Sequence, residues 1–244
     1  MKKILTKYVL IEIWLILELF LFCSLSSVNN NREIASIAGG GDRLYVISKY
    51  SVKSYGYDGR LIWEYGSNGA ISDAKTFRKK IYILSGLHLS CLSSDGVEEE
   101  VFQTETRYKL FAKISEYYVF YDGLKKNIVF THYGDARYAE TSYWVGTVKS
   151  LENFNGKEVC ILSDSGIFLA DAGNILKLDM GFLPSSVHSF DGKLMLESGS
   201  GEYYLWSDAK ISKIKISIPK APFILNNFEI IYFDSTVVRR KFDE

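Results

Sequence analysis

Glutamine occurs once in this chain of 244 residues, at Gln103, while Lys, Glu, Ile and Tyr are plentiful. Selection against thermolabile amides drives composition in this direction, which points to a thermophile. Net charge is missing too, because 29 Lys and Arg are matched by 29 Asp and Glu. Phosphate backbones select a basic face, so nucleic acid is not expected as a partner. The 3 cysteines, Cys23, Cys91 and Cys160, are odd in number and widely spaced, with no C-x-x-C pair and no nearby histidine to complete a zinc site. A disulfide framework and a zinc site are both excluded by that spacing. Cys91 and Cys160 fall inside apolar patterns and read as small buried hydrophobes. Histidine is limited to His88, His132 and His188, and the sequence holds no HExxH, GxSxG or P-loop. The usual catalytic motifs are therefore missing. Proline is also scarce, at 3 residues, whereas aromatics reach 15%. Aromatic side chains fit a pleated, half-buried surface, and this balance favours strands over long helices.

What is present begins with the N-terminus. Lys2, Lys3 and Lys7 precede an apolar run, Tyr8–Leu25, and a polar stretch, Ser26–Asn31. This is the order of a signal peptide or signal anchor, and the positive-inside rule places everything after Leu25 on the extracytoplasmic side. The expectation is a hydrophobic helix and linker over 1–31, followed by one domain over 32–244. Ser24 and Ser26 would suit cleavage after Ser26, which makes a secreted product the alternative to a membrane anchor. Phe22 and Leu21 stand where a lipid-modified cysteine needs small residues, so Cys23 is not read as lipidated. Glu12 and Glu18 interrupt the run. Its Leu, Ile, Val and Phe favour insertion by about 4 to 7 kcal/mol, against roughly 2.5 to 3.5 for a central charge. Trp14 and Phe22 lie four positions either side of Glu18, so a partner for its carboxylate would come from another chain.

Six apolar cores recur after this segment: Arg43–Ser48, Lys80–Ser85, Tyr117–Asp122, Glu158–Ser163, Lys193–Ser198 and Glu229–Asp234. Their last residues are separated by 37, 37, 41, 35 and 36 positions. A turn pair follows each of the first five cores: Asp58-Gly59, Asp95-Gly96, Gly134-Asp135, Ala172-Gly173 and Ser207-Asp208. Such pairs supply the positive φ of tight hairpins. Alternating strands lie between core and turn and again after the turn, and a short strand precedes each later core, as in Ile71–Phe77, Tyr108–Ile114, Val148–Phe154, Ser186–Phe190 and Ala221–Leu225. Four strands per repeat is the unit of a propeller blade. Helical repeats would need apolar residues at i, i+3, i+4 and i+7, which these segments do not offer. A two-sheet sandwich is the structural competitor. The expectation is an all-β, six-bladed β-propeller of four-stranded repeats about 38 residues long, its sixth blade lacking an outer strand because the chain stops after Thr236–Phe242. Residues Ser26–Arg32 are expected to pair at that edge, since bare edges invite aggregation.

The stretches Gly41-Asp42-Arg43-Leu44-Tyr45-Val46 and Tyr57-Asp58-Gly59-Arg60-Leu61-Ile62-Trp63 resemble the repeat of the pyrroloquinoline-quinone-like propellers, within the wider superfamily of WD40-like repeats. Only the first repeat carries both halves; the second keeps Ile81-Tyr82 and Asp95-Gly96 but has Glu98–Glu100 where the tryptophan strand belongs. The resemblance implies the fold. Its dehydrogenases hold their quinone between a tryptophan floor and a disulfide of adjacent cysteines beside calcium, and this chain has no adjacent cysteines. No cofactor, quinone or metal is therefore expected.

On a propeller, His188 falls on an innermost strand and so do Asp73, Lys75, Lys113 and Lys149, a ring of polar groups that could bind an anion or a small polar ligand in the channel. The competing reading is a polar, water-filled channel. His88 and His132 fall on third strands, where a satisfied, partly buried imidazole is expected. Most tyrosines are assigned to packing between blades. Tyr138 and Tyr143 are the expected exceptions, beside the loop at 134–141, and are candidate interface residues. Together with Glu18 they lead to a non-catalytic, membrane-tethered, extracytoplasmic protein-binding or scaffold module, a subunit of a membrane complex. The alternative is an extracytoplasmic lyase, hydrolase or quinone-type dehydrogenase working at the channel. Few histidines and no clustered carboxylates on inner strands count against it, because acid–base work needs two titratable groups held together.

Overall fold

Six antiparallel sheets follow one another along the chain, each a simple meander of sequential strands. The computed structural model describes residues 36–40, 42–104, 106–132, 139–216, 218–219, 222–226 and 229–241. Blade 1 comprises β1 (Ser36–Gly40), β2 (Arg43–Ile47), β3 (Ser51–Gly56) and β4 (Leu61–Gly66). Blade 2 comprises β5 (Ile71–Phe77), β6 (Lys80–Ser85), β7 (His88–Leu92) and β8 (Glu98–Gln103). In blade 3 the strands are β9 (Phe111–Ile114), β10 (Tyr117–Asp122), β11 (Asn127–His132) and β12 (Ala139–Trp144). Blade 4 contains β13 (Val148–Asn153), β14 (Val159–Ser163), β15 (Gly166–Ala170) and β16 (Ile175–Leu178), and blade 5 contains β17 (Ser186–Phe190), β18 (Lys193–Glu197), β19 (Tyr203–Ser207) and β20 (Lys210–Ile214). Blade 6 has three strands among the described residues, β21 (Phe223–Asn226), β22 (Glu229–Asp234) and β23 (Thr236–Lys241). The first strand of each blade packs beside the first strand of the next, and β21 lies beside β1. The result is an all-β, six-bladed propeller.

The six apolar cores of the sequence form the second strands, and their position explains their pattern. Each is covered on both faces by neighbouring blades, so burial is nearly continuous along β6, β10 and β14. The outer strands β4 and β8 are mostly exposed and correspondingly polar. Strands buried on both faces read as unbroken hydrophobic runs, whereas half-buried strands alternate.

Packing is concentrated in the seams between blades. Tyr45, Ile47 and Val52 meet Ile81, Ile83 and Leu92, and Leu84, Leu89 and Cys91 meet Phe111, Tyr118 and Phe120. Val119, Ile128 and Phe130 meet Leu151, Val159 and Ile161, and Cys160, Leu162 and Leu169 meet Val187, Leu194 and Leu196. Phe190, Met195 and Leu205 complete a fifth seam with Phe223 and Leu225. Each fully buried side chain of this size contributes roughly 1.5 to 3 kcal/mol. The seam that joins blade 6 to blade 1 is built differently: Tyr55 faces Phe233 at 4.9 Å, and the Arg239 guanidinium lies 4.9 Å from the Tyr57 ring centre.

The turn motifs serve the seams as well as the hairpins. Gly59 and Gly96 take φ of +83° and +79°. A side chain at Gly96 would also collide with the Trp63 indole of the preceding blade, 2.7 Å from its Cδ2, and Trp63 Nε1 donates to the Ser94 carbonyl at 2.7 Å. Arg43 donates to the same carbonyl. The aspartate-glycine turn and the tryptophan of the blade motif thus form one joint between successive blades. At Ser207-Asp208 the positive φ falls one residue later, on Asp208 and Ala209. Ala172-Gly173 is held instead by Asp171, whose carboxylate accepts from the amides of Gly173 and Asn174 at 2.8 and 2.7 Å. The inner strands at Tyr108 and Ala221 begin later than the sequence pattern predicts. Tyr108 leaves the ladder and stacks on Phe120, 4.6 Å between ring centres.

Residues 1–35 and 133–138 lie outside the described residues. The expected N-terminal helix, Glu18, the edge-pairing segment Ser26–Arg32, the Gly134-Asp135 turn and Tyr138 all fall there.

Candidate functional site in the central channel

The six inner strands enclose a cavity of about 830 Å³, within the span of small-molecule sites, roughly 300 to 1,000 Å³. Lys75 on β5, Lys113 on β9, Glu152 and Asn153 on β13, and His188 and Ser189 on β17 line it. Blade 5 adds Glu197 and Tyr203, and Phe223, Ile224 and Leu225 form an apolar wall.

Asp73 sits at the edge of this group, in the seam between blades 2 and 3. Its carboxylate accepts from the amides of Ala74 at 2.9 Å and Phe111 at 3.1 Å, and lies 3.5 Å from the Lys75 ammonium. Burial raises the Asp73 pKa against the opposing pull of Lys75 and those amides. For Lys75 burial works the other way and disfavours the charge, but Asp73 and Glu152 outweigh it and the pKa is raised. The two form an ion pair at the cavity wall.

Lys113 has a different role. Its side chain is buried, and the ammonium donates to the carbonyls of Ser115 at 2.6 Å and Tyr117 at 3.3 Å. It also lies 4.6 Å from the Tyr118 ring centre. Burial and the nearby Arg78 lower its pKa from 10.5 to about 8. This lysine braces its own β9–β10 hairpin. Lys149 does not line the cavity: the β13–β14 register slips between Val148 and Ser150, leaving Lys149 out of the ladder and exposed. Three residues on, Glu152 takes the inward place.

Glu152 is the group that sequence reasoning passed over. Its carboxylate accepts from the Ser189 amide at 2.8 Å, the Ser189 hydroxyl at 3.2 Å and the Ser150 hydroxyl at 3.3 Å. It occupies the next-to-last place of an inner strand, as do Thr76, Lys113 and Ser189. Alignment by strand ends would have singled it out. Glu197 accepts from the Ser186 hydroxyl at 2.8 Å. His188 lies between them, its ring 4.5 Å from that of Phe223 at 41°. Burial lowers the His188 pKa in spite of Glu152 and Glu197, so the imidazole is neutral at neutral pH. No hydrogen bond reaches its ring nitrogens among the described residues.

No hydroxyl or thiol is paired with His188 in the manner of an activated nucleophile. Cys91 and Cys160 are free and buried, and burial raises both thiol pKa values, which disfavours the reactive thiolate. Among the described residues no three His, Cys, Asp or Glu side chains come together as metal ligands.

Of the candidate interface residues, Tyr143 is partly buried. It packs edge-on against Phe130 at 5.9 Å and joins the seam between blades 3 and 4. Strand alternation turns its neighbour Trp144 outward instead, 66% exposed. His88 and His132 lie on third strands; His88 is exposed rather than partly buried, whereas His132 is partly buried with its Nε2 3.1 Å from a Glu116 carboxylate oxygen.

No protein-family model matches the chain, and no curated protein matches it in sequence. In fold it is similar to the WD40 domain of Neurospora crassa Pan2, with a TM-score of 0.58 at 10% identity over 86% of this chain and 76% of that one. Human WBSCR16 is similar with a TM-score of 0.55 at 8% identity, over 78% and 69% of the two chains. At such identities the likeness is one of β-propeller fold alone.

Proposed function

We propose that this chain is a non-catalytic β-propeller, tethered to a membrane on its extracytoplasmic side, that acts as a protein-binding or scaffold module within a membrane complex. The observation that carries the reading is the outer rim. Leu61 and Ile62 on β4, Val101 on β8, Trp144 on β12, Leu176 on β16 and Ile211 on β20 are all exposed. Five successive blades therefore present large apolar side chains outward, and exposed Trp and aliphatic groups on a rigid scaffold anchor protein interfaces. Propellers of the WD40 type, the fold this chain resembles, offer such faces. In this reading the pyrroloquinoline-quinone-like motif of blade 1 is a packing joint between Trp63 and Gly96, without quinone chemistry.

The tether is the run Tyr8–Leu25 behind Lys2, Lys3 and Lys7. Among the described residues no helix is long and apolar enough to cross a membrane. Glu18 within that run is assigned to a polar or basic group of a second membrane protein.

The test uses the full-length protein in its native membranes, with a photo-crosslinking residue at position 144. One stoichiometric adduct is expected, lost on competition with the uncrosslinked protein. Glu18→Leu should strengthen insertion of the segment by a few kcal/mol yet weaken recovery of the partner. A mature N-terminus beginning near Ser27, or no adduct at position 144, would overturn the reading.

A further inference from the structure

We propose that the central cavity is a binding site for a small organic cation, a primary ammonium on a short apolar body. The charges that line the channel decide the class of ligand. Both cations already have partners: Lys75 lies 3.5 Å from Asp73, and Lys113 donates to the carbonyls of Ser115 and Tyr117 at 2.6 and 3.3 Å. The two carboxylates of the lining are held differently. Glu152 accepts from the Ser189 amide and the Ser189 and Ser150 hydroxyls, and Glu197 from the Ser186 hydroxyl. Neutral donors orient a carboxylate without cancelling its charge. Neither has a cation in ion-pair contact among the described residues. With Lys75 paired to Asp73 behind the wall, Glu152 and Glu197 of the lining outnumber Lys113.

An anion would enter against that excess and would have to take Lys75 from Asp73. An ammonium would supply what is missing, and a carboxylate still has free lone pairs after two or three neutral hydrogen bonds. His188 adds an independent indication. Its partly buried ring lines the cavity, and no hydrogen bond reaches its nitrogens among the described residues. A neutral imidazole has one acceptor nitrogen, which can accept from an ammonium. Beside His188, the neighbouring residues Pro222, Phe223 and Leu225 offer apolar surface for a carbon body.

Three matched probes decide the question in purified full-length protein: n-butylamine, n-butanol and butyrate, followed by calorimetry and by the shift in melting temperature. Butylamine should bind saturably and raise the melting temperature, with butanol weaker by on the order of tenfold, the difference between charge-assisted and neutral hydrogen bonds. Butyrate should not bind. Glu152→Gln and Glu197→Gln keep an acceptor for their serines, and each should weaken the amine by roughly tenfold while leaving butanol unchanged. Lys149→Ala, outside the cavity, should change nothing. Should Glu152→Gln fail to fold, Glu197→Gln alone carries the comparison, with the folded ring verified by its circular dichroism. Butyrate binding as tightly as the amine, no saturation by any probe, or an amine affinity indifferent to Glu197→Gln would each overturn the proposal.

Discussion

At the scale of single residues, the joint between Trp63 and Gly96 and the burial of Lys113 carry separate predictions. Gly96 combines a positive φ with an indole where a Cβ would sit, so Gly96→Ala should destabilise the protein by about 1 to 3 kcal/mol. Trp63→Phe, which loses the hydrogen bond to Ser94 and part of the ring, should cost about 1 to 2. Urea denaturation of each variant is the measurement, and a loss below about 0.5 kcal/mol for Gly96→Ala would show that the joint yields freely. Lys113 has a folded pKa of about 8, below its unfolded value near 10.5. Below pH 8 the ammonium is charged in both states and its burial opposes folding in full. Between pH 8 and 10.5 the unfolded chain binds more protons, so this opposition fades as pH rises. Relative to Lys113→Met, the wild type should gain about 2 to 3 kcal/mol over that window. A difference that stays flat with pH would mean that the carbonyls of Ser115 and Tyr117 sustain the charge.

At the scale of elements, burial is set by a strand's place in its blade. Second strands are covered on both faces and outer strands on little of either, which is why β10 and β8 have such different compositions although both are regular strands. Blade 6 is the exception, because β23 has no outer partner among the described residues. Elsewhere in the ring each inner strand follows the outer strand of the preceding blade after a short connection, Gly66 to Ile71 being one case. By that rule the segment Ser26–Arg32, which precedes β1 in the sequence, is the one expected to complete the edge. Slow amide exchange within 26–32 in the folded full-length protein is the expected outcome; fast exchange throughout would leave the edge to some other partner.

At the scale of the whole molecule, the seams are unequal. Five carry buried apolar clusters, whereas blades 6 and 1 meet through Tyr55, Phe233, Arg239 and close glycine contacts. Phe120 is fully buried, and Phe120→Ala should cost about 3 to 5 kcal/mol. Phe233 is only half-buried at its seam, and Phe233→Ala should cost less than about 2. Denaturant titration of the two variants tests this, and equal losses would mean that the last seam is packed as firmly as the others. If the prediction holds, the ring opens at the junction of its first and last blades.

Much of this organisation can be read without coordinates. The period of the apolar cores, the positive-φ turn pairs and the scarcity of proline lead to six blades, because repetition of a buried strand at a constant interval has few other physical solutions. The inner-strand location of His188, Asp73 and Lys75 follows from the same alignment. Other features depend on tertiary structure. Lys149 is turned outward by a register slip of one residue, Tyr143 and Trp144 exchange roles through strand alternation, and Lys113 is claimed by carbonyls of its own hairpin. Glu152, on blade 4, enters a cavity into which the ring also brings Lys75 of blade 2 and His188 and Glu197 of blade 5. Period and composition depend on local chemistry repeated along the chain, whereas the direction of one side chain depends on register, and the charge of a cavity depends on which distant residues the closed ring brings together.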